Sequence, residues 1–144
     1  MAARTAEAVW QGELQDGQGT MKMASGAYEG AYSFRSRFGD GAAGTNPEEL
    51  IAAAHAGCFS MALSATLGGA GFTPTHIHTT AAVDLAKQGE GFAISRITLT
   101  TEASVPNVSA DDFARLAEDA KKNCPVSKAL AGVGEIALNA RLVG

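Results

Sequence analysis

The sequence predicts an α+β domain, with two helical segments set between groups of antiparallel strands. Three observations carry that expectation. Apolar residues alternate near both ends of the chain. Between them lies a long run of small apolar residues, opened by helix-start residues. A second stretch, Phe113 to Ala120, carries its apolar residues at helical spacing. A chain of 144 residues suits one domain over positions 1–144. A domain of that size buries roughly 70% of the surface its unfolded chain exposes, enough for a real core.

Taken in order, Ala6, Val9 and Trp10 open a strand, and Asp16-Gly17 marks a hairpin turn. Thr20 to Met23 continues on the far side. Tyr28, Tyr32, Phe34 and Phe38 suggest a third strand, followed by a flexible loop at Gly39, Gly41 and Gly44. Thr45 or Asn46 caps the next helix. Pro47 is tolerated in its first turn, and Glu48 and Glu49 complement the positive end of the helix dipole. Leu50 to Leu67 is then almost wholly apolar, and Gly68, Gly69 and Gly71 end it. Length alone makes this run a membrane-span candidate. Its many Ala and Gly residues, with His55, Ser60, Ser64 and Thr66, favour a helix buried in protein and closely approached by another element.

Period two returns at Ala81, Val83 and Leu85, and Gly89-Glu90-Gly91 turns the chain. Phe92 and Ile94 share a face, but Ile97, Leu99, Thr101 and Ala103 are shifted by one. Either a bulge near Ser95-Arg96 restores the register, or both faces are partly buried. Ser109 to Asp112 reads as a capping box. The stripe of Phe113, Leu116, Ala117 and Ala120 extends to Cys124, where Pro125 breaks it. Val126 to Ala131 forms a short second helical piece. Ile136, Leu138, Ala140 and Leu142 make a terminal strand.

Composition excludes several classes of function. Hydrophobic residues are 46% and charged residues 18%, so the chain is globular rather than disordered. A net charge of −4 offers no electrostatic footprint for nucleic acid or anionic lipid. Met1 to Trp10 lacks the long apolar run of a signal peptide, which points to a reducing, cytoplasmic location. There a cysteine pair is more often catalytic or metal-binding than a permanent staple. Two widely separated cysteines are too few for a zinc ribbon. His76 and His78 share a strand face, but no third metal ligand is evident. His55 reads as a hydrogen-bonded helix residue. No phosphate loop, dinucleotide fingerprint or Cys-x-x-Cys is present.

Cys58 and Cys124 are the residues that could carry chemistry. Each, alone, could be an inert small hydrophobe. Nothing cationic lies within two helical turns of Cys58 on its own segment, so an activating group must come from elsewhere. Cys124 precedes a short helix, whose N-terminus stabilises an anion, and Lys121, Lys122 and Lys128 add positive potential. As a pair, one thiol could react with an oxidant and the other capture the sulfenic acid as a disulfide. Arg37 and Glu48 could form an ion pair of fixed geometry that presents a guanidinium to a thiolate and a peroxide oxygen. Arg35 and Glu49 compete with them for those roles.

The run Gly44-Thr45-Asn46-Pro47-Glu48-Glu49-Leu50-Ile51, continuing to His55-Ala56-Gly57-Cys58-Phe59-Ser60-Met61-Ala62-Leu63, resembles the signature of the OsmC/Ohr family. OsmC denotes osmotically inducible protein C, and Ohr denotes organic hydroperoxide resistance protein. Asn123-Cys124-Pro125-Val126-Ser127-Lys128-Ala129-Leu130 matches a second motif, and Gly71-Phe72-Thr73-Pro74-Thr75 fits the OsmC branch. The likeness runs from Trp10 to Leu142. It implies a thiol peroxidase acting on alkyl or lipid hydroperoxides, less efficiently on hydrogen peroxide, with no metal or organic cofactor. By motif position Cys58 corresponds to the peroxidatic cysteine, Cys124 to the resolving cysteine, Glu48 to the active-site glutamate and Arg37 to the active-site arginine. The resemblance also implies an intertwined homodimer, its central helices wrapped by strands from both subunits. An external dithiol, a dihydrolipoyl group in the Ohr branch, would regenerate the cysteines.

Spacing adds a separate argument. If Pro47 to Leu67 is one straight helix, Glu48 and Cys58 are ten residues apart. At 1.5 Å per residue that is roughly 15 Å along the axis, too far for contact. A working site would then be composite, at a dimer interface, with Arg37 or Glu48 donated in trans. Two rivals share the same cysteines: a carrier that binds without turnover, and a redox sensor that passes a disulfide to a partner.

Overall fold

The computed structural model describes residues 2–39 and 43–144, so Gly41 of the expected glycine loop lies outside the described residues. Contacts divide the chain into two compact units, Met1–Leu50 and Ile51–Gly144.

The first unit is an antiparallel sheet of β1 (Ala6–Gln11), β2 (Gln18–Met23) and β3 (Glu29–Tyr32), paired in chain order. Asp16 sits in the turn between β1 and β2, as its sequence indicated. The third strand is shorter than the aromatic pattern suggested. It ends at Tyr32, and a helical turn, α1 (Phe34–Phe38), follows. The reason is local. The Ser33 hydroxyl accepts from the Ser36 amide at 3.1 Å, and the Ser36 hydroxyl accepts from the Ser33 amide at 2.8 Å. This reciprocal capping favours helix over strand. Phe34 and Phe38 are thus one helical turn apart, with ring centroids 4.9 Å apart. Arg37 is a helix residue, not a loop residue.

Gly44 carries φ of 115°, and a Cβ there would lie 2.7 Å from the Ala31 carbonyl oxygen, so only glycine fits. The turn lets Thr45 N–H donate to Ala31 O at 2.8 Å and sets the start of α2 (Pro47–Gly69). Of the two cap candidates, Asn46 does the work: its Oδ1 accepts from Glu49 N–H at 2.8 Å. Thr45 instead donates its hydroxyl to Glu49 Oε1 at 2.7 Å. At the other end Gly71 has φ of 92°, and Phe72 N–H returns to Leu67 O at 2.9 Å.

α2 is one unbroken helix of 23 residues. His55, Phe59, Leu63 and Leu67 form a fully buried stripe at four-residue spacing. The opposite side is open, and Met61 is 76% exposed. The helix is long and apolar enough to cross a membrane by length and composition, with mean hydropathy 1.6, yet this chain buries only 22% of that window. The expected burial in protein is therefore met along one stripe only.

The second unit packs that stripe against a sheet of order β4 (His76–Gln88), β5 (Gly91–Ser104), β6 (Glu135–Leu142). β4 and β5 are antiparallel, and Asp84 pairs with Arg96 while Leu85 pairs with Ile94. Ser95 is the extra residue of a bulge, which resolves the shifted face in favour of the bulge. β6 departs from the antiparallel expectation and runs parallel to β5. A parallel neighbour needs a long crossover, here α3 (Ala110–Asn123) and α4 (Pro125–Ala129). Ser109 caps α3 by accepting from Asp112 N–H at 3.1 Å. Phe113, Leu116, Ala117, Ala120 and Cys124 bury its apolar stripe against Phe59, Leu63 and Leu99. Each fully buried Phe or Leu contributes about 1.5–3 kcal/mol of transfer free energy.

Candidate active site

The α2 stripe and the α3–α4 junction bring the two cysteines together. Cys58, half-buried, lies on α2 one residue before the core residue Phe59. Cys124 is fully buried, both the C-cap of α3 and the N-cap of α4. Pro125 follows at the first position of α4, where it needs no amide partner. The two sulfurs are 3.1 Å apart, and both thiols are free. A disulfide of about 2.05 Å would need them to close by roughly 1 Å.

The surroundings treat the two thiols differently. Burial pushes the Cys58 thiol up, and donating its proton toward Cys124 raises it further, while the Val126 amide works the other way. Burial also raises Cys124, but several donors outweigh it: the Cys58 thiol, the Ser127 amide and hydroxyl, and the Val126 amide. They hold Cys124 below the ordinary thiol value. The amides do not close a capping hydrogen bond on the sulfur, so they act as dipoles aimed at it. Either thiol could donate across the 3.1 Å contact, and these donors favour Cys58 as donor and Cys124 as acceptor. The potential expected from Lys121 is directed elsewhere: its ammonium pairs with Glu118 at 2.9 Å and donates to Ile136 O at 3.2 Å.

Behind Cys124 lies a buried polar pair that the sequence signalled only in part. His55 Nε2 is 2.7 Å from Ser127 Oγ. His55 is the hydrogen-bonded helix residue its position implied. Ser127 was visible only as a motif residue, although its place three positions after a helix N-cap was the available signal. Burial pushes the His55 imidazole below its ordinary value, so the ring is neutral near pH 7.

The first unit holds the second pair. Arg37 Nε donates to Glu48 Oε1 at 2.9 Å, and Nη2 donates to Oε2 at 2.8 Å. Hydrogen bonding to the buried Glu48 carboxylate raises the Arg37 pKa further, so the guanidinium is permanently charged. Arg37, not Arg35, makes this pair, and Glu49 is engaged with Thr45. The guanidinium also lies 5.2 Å from the Phe38 ring centroid. Arg37 borders a cleft of about 220 Å³ walled by Trp10, Leu14, Tyr32, Phe34 and Phe38. The four expected site residues thus stand as two pairs, Arg37 with Glu48 and Cys58 with Cys124. Among the described residues, no group of three or more His, Cys, Asp or Glu side chains is placed to hold a metal ion, His76 and His78 included.

A family model described as OsmC-like protein matches residues 39–139. The peroxiredoxin OsmC of Escherichia coli K12 is 52% identical over 125 residues, 86% of this chain and 87% of that protein. The chain belongs to the OsmC family. A further relative, the organic hydroperoxide resistance protein-like 1 of Staphylococcus saprophyticus, is 33% identical over 105 residues, 72% of this chain and 74% of its own. The crystal structure of an organic hydroperoxide resistance protein from Elizabethkingia anophelis superposes with a TM-score of 0.75 at 26% identity, covering 99% of both chains. This OsmC-family chain has the mixed α+β fold of its relatives and is a peroxidase, a redox enzyme that reduces peroxide.

Proposed function

We propose that this peroxidase reduces organic hydroperoxides with Cys58 as nucleophile and Cys124 as resolving thiol, without metal or organic cofactor. The observation that carries the reading is the 3.1 Å separation of two free sulfurs. An oxidised Cys58 would meet its partner with almost no rearrangement. The resistance to organic hydroperoxides for which two relatives are named supports the substrate class. The apolar cleft bordered by Arg37 suits an alkyl or lipid tail.

The Cys58 thiolate attacks the distal oxygen of ROOH, the O–O bond breaks, and the leaving alkoxide takes a proton to become ROH. Cys58 is oxidised to sulfenic acid. The Cys124 thiolate then attacks that sulfur and expels hydroxide, which leaves as water once protonated, and a disulfide forms. An external dithiol, in our reading a dihydrolipoyl group, supplies two electrons and two protons to restore both thiols.

Burial alone disfavours a Cys58 thiolate, so the first step calls for a cation. Arg37, oriented by Glu48, is the group assigned to it, and it would also stabilise charge on the leaving oxygen. α2 is continuous, and we read the ten-residue spacing of Glu48 and Cys58 along it as support for a composite site. We place that site in a homodimer, one functional domain per chain, whose second copy also covers the open side of α2. The location we propose is cytoplasmic.

Anaerobic thiol counting around one equivalent of cumene hydroperoxide tests the reading. Loss of both thiols, with turnover when a dithiol is supplied, is expected. Two thiols left unchanged would indicate a carrier, and a single oxidation without turnover would indicate a sensor.

A further inference from the structure

His55 is a buried titratable group that the proposed reaction does not use. It is fully inaccessible, its Nε2 lies 2.7 Å from Ser127 Oγ, and its Nδ1 has no hydrogen-bond partner among the described residues. Ser127 is itself buried and occupies the third position of α4, whose N-cap is Cys124. A polar side chain at that position reaches back toward the N-cap amide, but the Cys124 amide donates to Ala120 O at 2.9 Å, so it does not hold the Ser127 hydroxyl. We infer that His55 is a positioning residue for Cys124: its Nε2–H donates to Ser127 Oγ, which turns the Ser127 hydroxyl hydrogen toward the Cys124 sulfur.

The proton count carries the argument. Ser127 has one hydroxyl hydrogen. If His55 bore its proton on Nδ1, Nε2 could only accept, and Ser127 would have to donate to it. No hydrogen would remain for the sulfur, and a buried Nδ1–H would stand without an acceptor. With the proton on Nε2, Ser127 accepts from the ring and donates to sulfur, and the unpartnered Nδ1 is an acceptor. The hydroxyl's help in lowering the Cys124 thiol agrees with this arrangement. Other titratable groups near Cys124 are Cys58 on α2 and Lys121, Lys122, Lys128 and Glu135, which line the cleft beside Ser127. Of these, Lys121 is engaged with Glu118 and Ile136 O, whereas His55 Nε2 is within hydrogen-bond distance of the Ser127 hydroxyl. The chain of contacts joins α2 to the α3–α4 junction, so the helix that carries Cys58 also tunes its partner.

The inference rests on the peroxidase reading for the use made of the thiolate, but its test does not. In a Cys58→Ala background, Cys124 is titrated by thiolate absorbance near 240 nm. At a pH within the parent titration, Ser127→Ala and His55→Leu should each lower the thiolate fraction by up to about tenfold, one pKa unit. His55→Gln, whose amide can donate from nearly the same place, should restore most of it. Nitrogen NMR of the unmutated protein should find the His55 proton on Nε2, which guards against a His55→Leu variant that does not fold. A proton on Nδ1, or His55 variants that titrate like the parent, would overturn the inference while leaving the peroxidase reading intact. Absence of peroxide turnover in the unmutated protein would strike that reading and leave the titration result standing.

Discussion

Arg37 grips Glu48 through two parallel hydrogen bonds, at 2.9 Å and 2.8 Å, using one edge of its guanidinium. Planar fork-to-carboxylate pairing fixes the direction of the remaining N–H groups, which a lysine ammonium cannot do. Arg37→Lys should therefore keep a positive charge yet lose most of the first step. A fall of roughly a hundredfold in the rate of Cys58 oxidation is expected, the scale set by removing one positioned donor from a developing anion. Stopped-flow oxidation with cumene hydroperoxide measures it. A rate within twofold of the parent would show that charge without geometry suffices.

The composite site predicts complementation. Neither Arg37→Ala nor Cys58→Ser should turn over peroxide alone. Mixed in equal amounts and reassociated, each hybrid dimer should reach up to about half the parent dimer's activity, because one of its two sites is whole, and the mixture, about half hybrid, up to about a quarter. If Arg37 acts within its own chain, the mixture stays inactive.

Cys124→Ser removes resolution and leaves the nucleophile. Cys58 should still form a sulfenic acid, then overoxidise as peroxide rises. Mass spectrometry should find a gain of two oxygens on the Cys58 peptide at excess peroxide, and little of it in the parent. Equal overoxidation in both would show that Cys124 does not intercept the sulfenic acid, in spite of the 3.1 Å contact.

His55 makes stability depend on pH in a definite direction. Its folded pKa lies below the ordinary 6.5, so as pH falls through that value the unfolded chain binds protons more readily than the folded one. The contribution is complete above about pH 6.5 and declines on acidification toward the lower folded value. His55→Gln has no imidazole to protonate and should lose this slope. Urea midpoints at about pH 7.5 and pH 5.5 compare the two, and a parent slope no steeper than that of His55→Gln would remove His55 from the acid response.

The features legible in the sequence are those decided by a few adjacent residues. The start of α2 could be read from Asn46-Pro47-Glu48, the bulge from the shifted face around Ser95, and the α3 cap from Ser109. The third strand was over-extended because Tyr32, Phe34 and Phe38 satisfy a period of two. Reciprocal Ser33–Ser36 capping, which that periodicity does not register, ends it at Tyr32.

Partners distant along the chain could not be read in the same way. Apolar periodicity says which face of β6 is buried but not which way it runs, and its parallel direction follows from the α3–α4 crossover. Arg35 and Arg37 look alike in sequence. Only the turn of α1 and the Gly44 approach to Ala31 decide which guanidinium meets Glu48. Sequence alone determined the residue types, caps and spacings that make two reactive thiols possible. Tertiary structure decided that the sulfurs meet at 3.1 Å and that Ser127 and His55 stand behind one of them. Hydrogen bonds and desolvation act over a few ångströms of space, whatever the separation along the chain.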